Sequence, residues 1–67
     1  MNEKIILINR KEVERQTSLS RSKIYELMDK KLFPQQIQIS KMHVVWNEHD
    51  IQNWIKDIIK KGTENDN

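Results

Sequence analysis

The segment from Leu19 to Tyr25 carries the residues best suited to bind a phosphate backbone. Ser20 has the residue type of a helix N-cap, and the first turn after it is basic or hydroxylated: Arg21, Ser22 and Lys23. A helix start presents unpaired N–H groups and the positive end of the helix dipole, and both favour anions. Basic side chains beside such an end can contact phosphates and reach base edges. This segment is therefore the candidate nucleic-acid contact.

Composition limits the classes of protein to consider. The chain has 67 residues, no cysteine and a formal net charge of +2, from 12 basic and 10 acidic residues. Residues 63–67 hold two of the acids, so the remainder has 12 basic and 8 acidic residues and carries +4. We expect one small domain without disulfides or thiolate metal sites, in the cytoplasm. The longest N-terminal apolar run, Ile5 to Ile8, is too short for a signal peptide or a membrane span.

Two capped helices joined by a short turn form a helix-turn-helix pattern. Asn9, with Glu12 three residues later, predicts a capping box and a first helix over residues 10–16. Thr17 and Ser18 end it. Ser20 caps a second helix over residues 21–31, and Leu19 and Ile24 have the spacing of a hydrophobic staple. Pro34 prevents further continuation of that helix.

A β-hairpin and a third helix follow. Strand-forming residues flank residues 40–42, and we expect four of them to face the core: Ile37, Ile39, Val44 and Trp46. Gln38, His43 and Val45 should face outward. Asn47 caps a third helix with strong apolar periodicity, which Gly62 is expected to end. Ile5 to Ile8 predicts a short strand-like arm that packs on the core.

The order of these elements and several motifs resemble the AlpA-type prophage regulators, which are related to small phage excisionases and MerR-like DNA-binding domains. The matching pieces are residues 11–13 (Lys-Glu-Val), 19–28 (Leu-Ser-Arg-Ser-Lys-Ile-Tyr-Glu-Leu-Met), 33–34 (Phe-Pro), 44–46 (Val-Val-Trp) and 50–55 (Asp-Ile-Gln-Asn-Trp-Ile). They extend over about residues 5–60. The family usually has Gly at the position of Ser18 and near Lys31, and a Gly-rich, Arg-bearing hairpin tip where this chain has Ser40 to His43.

The resemblance implies a small α+β winged helix-turn-helix domain over residues 1–62, with a flexible tail over 63–67. Its expected partner is double-stranded DNA, and no cofactor or metal is expected. The second helix would lie in the major groove and the hairpin would act as the wing. The implied DNA-binding residues are Arg15, Ser20, Arg21, Ser22, Lys23, Tyr25, Lys41 and His43.

Three hypotheses of function stay open, and none is enzymatic. The chain could regulate transcription of mobile-element or prophage genes. It could be an excisionase that acts with an integrase, or with copies of itself on adjacent sites. It could also be a protein-interaction module that uses the C-terminal helix, with Ile58 or Ile59 exposed. Catalysis is not expected, because the chain has no Cys nucleophile, no Gly-rich phosphate loop and only two histidines, His43 and His49.

Overall fold

The computed structural model describes residues 4–65, with side chains through residue 62. The elements in chain order are β1 (Leu7–Ile8), α1 (Arg10–Thr17), α2 (Arg21–Asp29), β2 (Ile37–Ser40), β3 (His43–Asn47) and α3 (Glu48–Asn65). The strands form an antiparallel sheet in the order β1-β3-β2. The expected α+β winged helix-turn-helix is therefore confirmed, with a hairpin between the second and third helices.

Trp46, on the central strand β3, is the largest fully buried side chain of the described core. It clusters with buried residues from several other parts of the domain: Ile8, Val13, Ile24, Met28, Phe33 and Ile51. Its indole Nε1–H donates to the backbone carbonyl of Pro34 at 3.2 Å. The polar atom of the ring is thereby satisfied, as burial of an indole requires. Trp46 thus joins the sheet, the helices and the loop before β2.

Side-chain caps start α1 and α2 as predicted. Asn9 Oδ1 accepts the N–H of Glu12 at 2.9 Å, and Ser20 Oγ accepts the N–H of Lys23 at 3.2 Å. Leu19 packs against the core cluster that contains Ile24, as the staple requires. The capping box expected at α1 is incomplete, because the Glu12 carboxylate binds side chains on its own helix instead of returning to Asn9.

Helix ends differ from the prediction. α2 ends at Asp29, two residues early, because Lys31 has the left-handed backbone angle φ 63° and Leu32 N–H donates to Leu27 O at 2.8 Å. Conversely, α3 continues through Gly62 to Asn65. Residues 66–67 lie outside the described part, so a flexible tail there stays a prediction.

The burial predicted for three hairpin residues was wrong: Ile37 and Ile39 are exposed, whereas Val45 is buried. β2 pairs with β3 so that Ile37 lies opposite Val45 and therefore shares its face of the sheet, away from Trp46. A bulge follows between Gln38 and Ser40. Val45, on the central strand β3, is buried, whereas Ile37 and Ile39 on the edge strand β2 are 43% and 55% exposed. A one-residue difference in register exchanges the two faces of a strand.

Ser18 provides a test of the backbone geometry between α1 and α2. It is non-glycine with φ 63°, and its N–H donates to Glu14 O at 2.8 Å. We predict that Ser18→Gly raises the free energy of unfolding by about 1 kcal/mol, because glycine adopts left-handed angles without the Cβ clash. Denaturant unfolding measures the change. Ser18→Ala is the control and should give no gain; an equal gain from alanine would contradict the explanation.

Candidate nucleic-acid interface

The first turn of α2 presents a compact set of exposed polar side chains. Arg21, Ser22 and Lys23 are all exposed, directly after the Ser20 cap. The guanidinium carbon of Arg21 lies 5.9 Å from the centroid of the Tyr25 ring, one helical turn later. This cation–π contact limits the positions that Arg21 samples and leaves its planar N–H donors at the surface. Tyr25 itself is half-buried against the core.

Glu26 partly balances the positive charge of this turn. Its Oε2 lies 3.6 Å from Lys23 Nζ and 3.1 Å from Lys30 Nζ. The hydrogen bond from Lys30, followed by the charge of Lys23, lowers the pKa of Glu26. An incoming phosphate would have to compete with this carboxylate for Lys23. Exposed pairs of this kind are weak, so such exchange costs little.

The hairpin tip lies beside the start of α1. Lys41, Met42 and His43 are exposed at the tip, where Gln38 Nε2 donates to the Lys41 carbonyl at 3.4 Å. A cleft of about 400 Å³ separates the tip from α1 and is lined by Asn9, Arg10, Lys11, Met42, His43 and Val44. Arg10 and Lys11 thus lie on the α1 wall of the cleft, and His43 lies on the opposite wall, which the hairpin tip forms.

The α1 residues that line that cleft were not among the contacts predicted from the sequence. Lys11 is exposed, and Arg10 is half-buried with its Nε 2.9 Å from Glu14 Oε2. Both residues are far from the hairpin tip along the chain, so no local pattern indicates that they meet it. The pairing of β1 with β3, which connects the start of α1 to the hairpin, brings them together.

Arg15 lies in a different setting, within a polar network between α1 and α3. Its Nε donates to Glu12 Oε1 at 2.9 Å. Gln16 Nε2 donates to Glu12 Oε2 at 2.9 Å and to Glu48 Oε2 at 3.1 Å, while Gln52 Nε2 donates to Gln16 Oε1 at 2.7 Å. The hydrogen bonds from Arg15 and then Gln16 lower the pKa of Glu12 to about 2. The same carboxylate raises the pKa of Arg15.

The eight predicted DNA-binding residues therefore fall into three places. Five belong to the start of α2, two to the hairpin tip, and Arg15 to the α1–α3 network. The roles of all eight stay predictions. Within residues 4–62, no group of three His, Cys, Asp or Glu side chains could hold a metal ion. Over residues 4–65, no helix is both long and apolar enough to cross a bilayer.

Comparison with protein families agrees with the architecture. The profile of the family described as prophage CP4-57 regulatory protein (AlpA) matches residues 6–59, from β1 through most of α3. The chain belongs to the AlpA family. It is thus a member of a family of phage regulatory proteins, as the sequence motifs predicted. Searches of curated proteins and of solved structures found no match.

The Glu12 network predicts a pH dependence of stability. Because folding lowers the pKa of Glu12 from about 4.3 in an unfolded chain to about 2, its stabilisation is complete above the unfolded value. That stabilisation is lost as the pH falls toward 2. Glu12→Gln should therefore lower the melting temperature at pH 5, and the difference from wild type should shrink toward pH 2.

The matched variant is Arg15→Met, which removes the main cause of the pKa shift. In proteins that carry Arg15→Met, the further change Glu12→Gln should have a smaller pH-dependent effect than it has in the wild type. Thermal melting followed by circular dichroism between pH 2 and pH 5 measures the wild type, both single variants and the double variant. If the effect of Glu12→Gln in the wild-type background stays constant over this range, the ionisation of Glu12 contributes nothing to folding.

Proposed function

We propose that the chain is a double-stranded DNA-binding protein that regulates transcription of a prophage or other mobile element. The observation that carries the proposal is the exposed turn Arg21-Ser22-Lys23 at the start of α2, on a winged helix-turn-helix scaffold. Membership of the AlpA family supports it. The expected site of action is the cytoplasm, and the activity requires no catalysis and no cofactor.

In this proposal α2 enters the major groove. Arg21 binds guanine O6 and N7 through two parallel hydrogen bonds, which contributes roughly 1–3 kcal/mol of discrimination. Ser22 and Lys23 contact neighbouring base edges. Ser20 contacts phosphate while its Oγ holds the helix start, and Tyr25 combines a phosphate contact with support for the Arg21 side chain.

The wing contributes a second contact region on the DNA backbone. Lys41 and His43 supply it from the hairpin tip, and Lys11 and Arg10 supply it from the opposite wall of the cleft. This wall adds positive charge to a wing whose own tip has one permanent cation, Lys41. Arg15 contacts phosphate only after it exchanges Glu12 for the DNA.

Two other functions use features of the same domain. An excisionase that acts with an integrase, or with copies of itself on adjacent sites, would need the same DNA-binding surface; an integrase gene beside this one would favour it. A protein-interaction role would use the C-terminal helix, and the exposed Ile58 on a groove beside α3 favours it.

Salt dependence tests DNA binding directly. Contacts with about 4–6 phosphates predict a slope of roughly −4 to −5 for log K against log salt, at about −0.9 per contact. Fluorescence anisotropy of a labelled duplex measures it. Lys11→Ala should make the slope less steep by about 0.9. The control Lys56→Ala, at an exposed position of α3, should not change the slope.

Absence of duplex binding even at low salt would contradict the proposal and favour a role in protein interaction alone. An equal change of slope in the Lys11→Ala and Lys56→Ala proteins would instead show that the cleft beside the wing makes no defined contact. Circular dichroism of each variant establishes that the fold is retained.

A further inference from the structure

The exposed face of α2 has an acid at its centre, Glu26. Successive residues of an α-helix are rotated by about 100° around the axis. Ile24 and Met28, two positions before and two positions after Glu26, are both buried in the core. The side chain of Glu26 therefore projects roughly opposite the side of α2 that packs on the core, and it is exposed. Ser22, four positions earlier, lies on the same face of the helix.

In the proposed DNA complex, this face of α2 is the one that meets the floor of the major groove. A recognition helix keeps its core-facing side toward the protein, so its opposite side is turned toward the base edges. Ser22 and Glu26 then point at the bases, whereas the half-buried Tyr25 lies at the margin. A charge that is removed from water needs a hydrogen-bonding partner. The central position of Glu26 therefore requires a hydrogen-bond donor on the DNA.

Two lysines of the same helix hold the Glu26 carboxylate. Its Oε2 lies 3.1 Å from Lys30 Nζ and 3.6 Å from Lys23 Nζ. The hydrogen bond from Lys30, followed by the charge of Lys23, lowers the pKa of Glu26, so the group is ionised at neutral pH. An ionised carboxylate accepts hydrogen bonds and donates none. The two lysines also reduce the repulsion between this carboxylate and nearby phosphates.

Base edges in the major groove offer such an acceptor two donors, the N4 amino group of cytosine and the N6 amino group of adenine. In an A·T pair the amino group stands between two acceptors, adenine N7 and thymine O4. In a C·G pair it stands beside one acceptor, guanine O6, and the ring of cytosine presents a C–H group on the other side. Because acceptors repel a carboxylate, the C·G pair is the better match.

We propose that Glu26 is a specificity-determining residue that accepts a hydrogen bond from the N4 amino group of a cytosine in the major groove. This role rests on the proposed DNA-binding function, because it requires α2 to lie in that groove. It adds a base contact one helical turn beyond Arg21 and Ser22. The target duplex should therefore contain a C·G pair that is separate from the guanine contacted by Arg21.

The base preferences of the wild type and two variants test this role. The duplex that the wild type selects from a random pool is changed one base pair at a time, and fluorescence anisotropy measures each affinity. Replacement of one C·G pair by A·T should weaken binding of the wild type by about tenfold or more. Glu26→Ala should abolish the preference at that pair alone. Glu26→Gln should shift it toward A·T, because a glutamine amide pairs with adenine N6 and N7.

Asp57→Asn, at an exposed position of α3, is the matched control, since it removes the same charge at a distance from the proposed contact. It should leave every base preference unchanged. Arg21→Ala should lose preference at a different base pair from Glu26→Ala. Circular dichroism melting of each protein verifies that the fold is retained. Should Glu26→Ala unfold, Glu26→Gln, which keeps the size of the side chain, carries the test.

Three results would overturn the role of Glu26 while DNA binding stands. They are unchanged preferences in Glu26→Gln, tighter binding of both Glu26 variants to every duplex with the wild-type preferences, or an equal loss of preference at all positions. The second result would show that the acid only repels the backbone, and the third that it only supports the helix. Absence of duplex binding by the wild type even at low salt would instead refute the DNA-binding function, and the role of Glu26 with it.

Discussion

The burial of Trp46 on the central strand is the constraint on which the other elements depend. β3 is paired on both sides, so the position of the indole is fixed by two sets of strand contacts. Val13 of α1, Ile24 of α2 and Ile51 of α3 meet the same cluster. A domain of this size has room for one modest core, so these elements all pack on the same core. The orientation of α2 relative to the hairpin therefore follows from one packed residue and its neighbours.

Acidic residues beside the candidate DNA contacts form ion pairs with some of the predicted cations. Glu26 pairs with Lys23, and Glu12 pairs with Arg15, so two of the predicted cations already have partners in the free protein. Arg21 differs from them, because it lies over the Tyr25 ring instead of a carboxylate. If Lys23 or Arg15 binds DNA, the DNA replaces the carboxylate that the side chain contacts in the free protein. If Arg21 binds DNA, no carboxylate has to be displaced. Arg21 is therefore the residue expected to contribute most to the proposed recognition of DNA.

Sequence alone predicted the helix starts well, because caps such as Asn9 and Ser20 act within three residues. It predicted the end of α2 poorly, since a lysine, Lys31, takes the left-handed angle that usually indicates glycine. The facing of Ile37 was wrong because register depends on the bulge and on pairing with β3. The approach of Lys11 to the hairpin tip is a tertiary contact without a local pattern. The candidate contacts Ser20 to Lys23, by contrast, are consecutive in the chain, so their common exposure follows from one helix start.

In the proposed function, the start of α2 reads the DNA sequence, and the Trp46 core only positions it. The most direct measurement is competition between the duplex selected by the wild type from a random pool and an unrelated duplex, for wild type and Arg21→Ala. We expect that the variant melts at the wild-type temperature, keeps its nonspecific affinity within a few-fold, and loses roughly 1–3 kcal/mol of preference for the selected duplex. If a folded Arg21→Ala protein keeps the wild-type preference for the selected duplex, that result would contradict the proposed role of the α2 start.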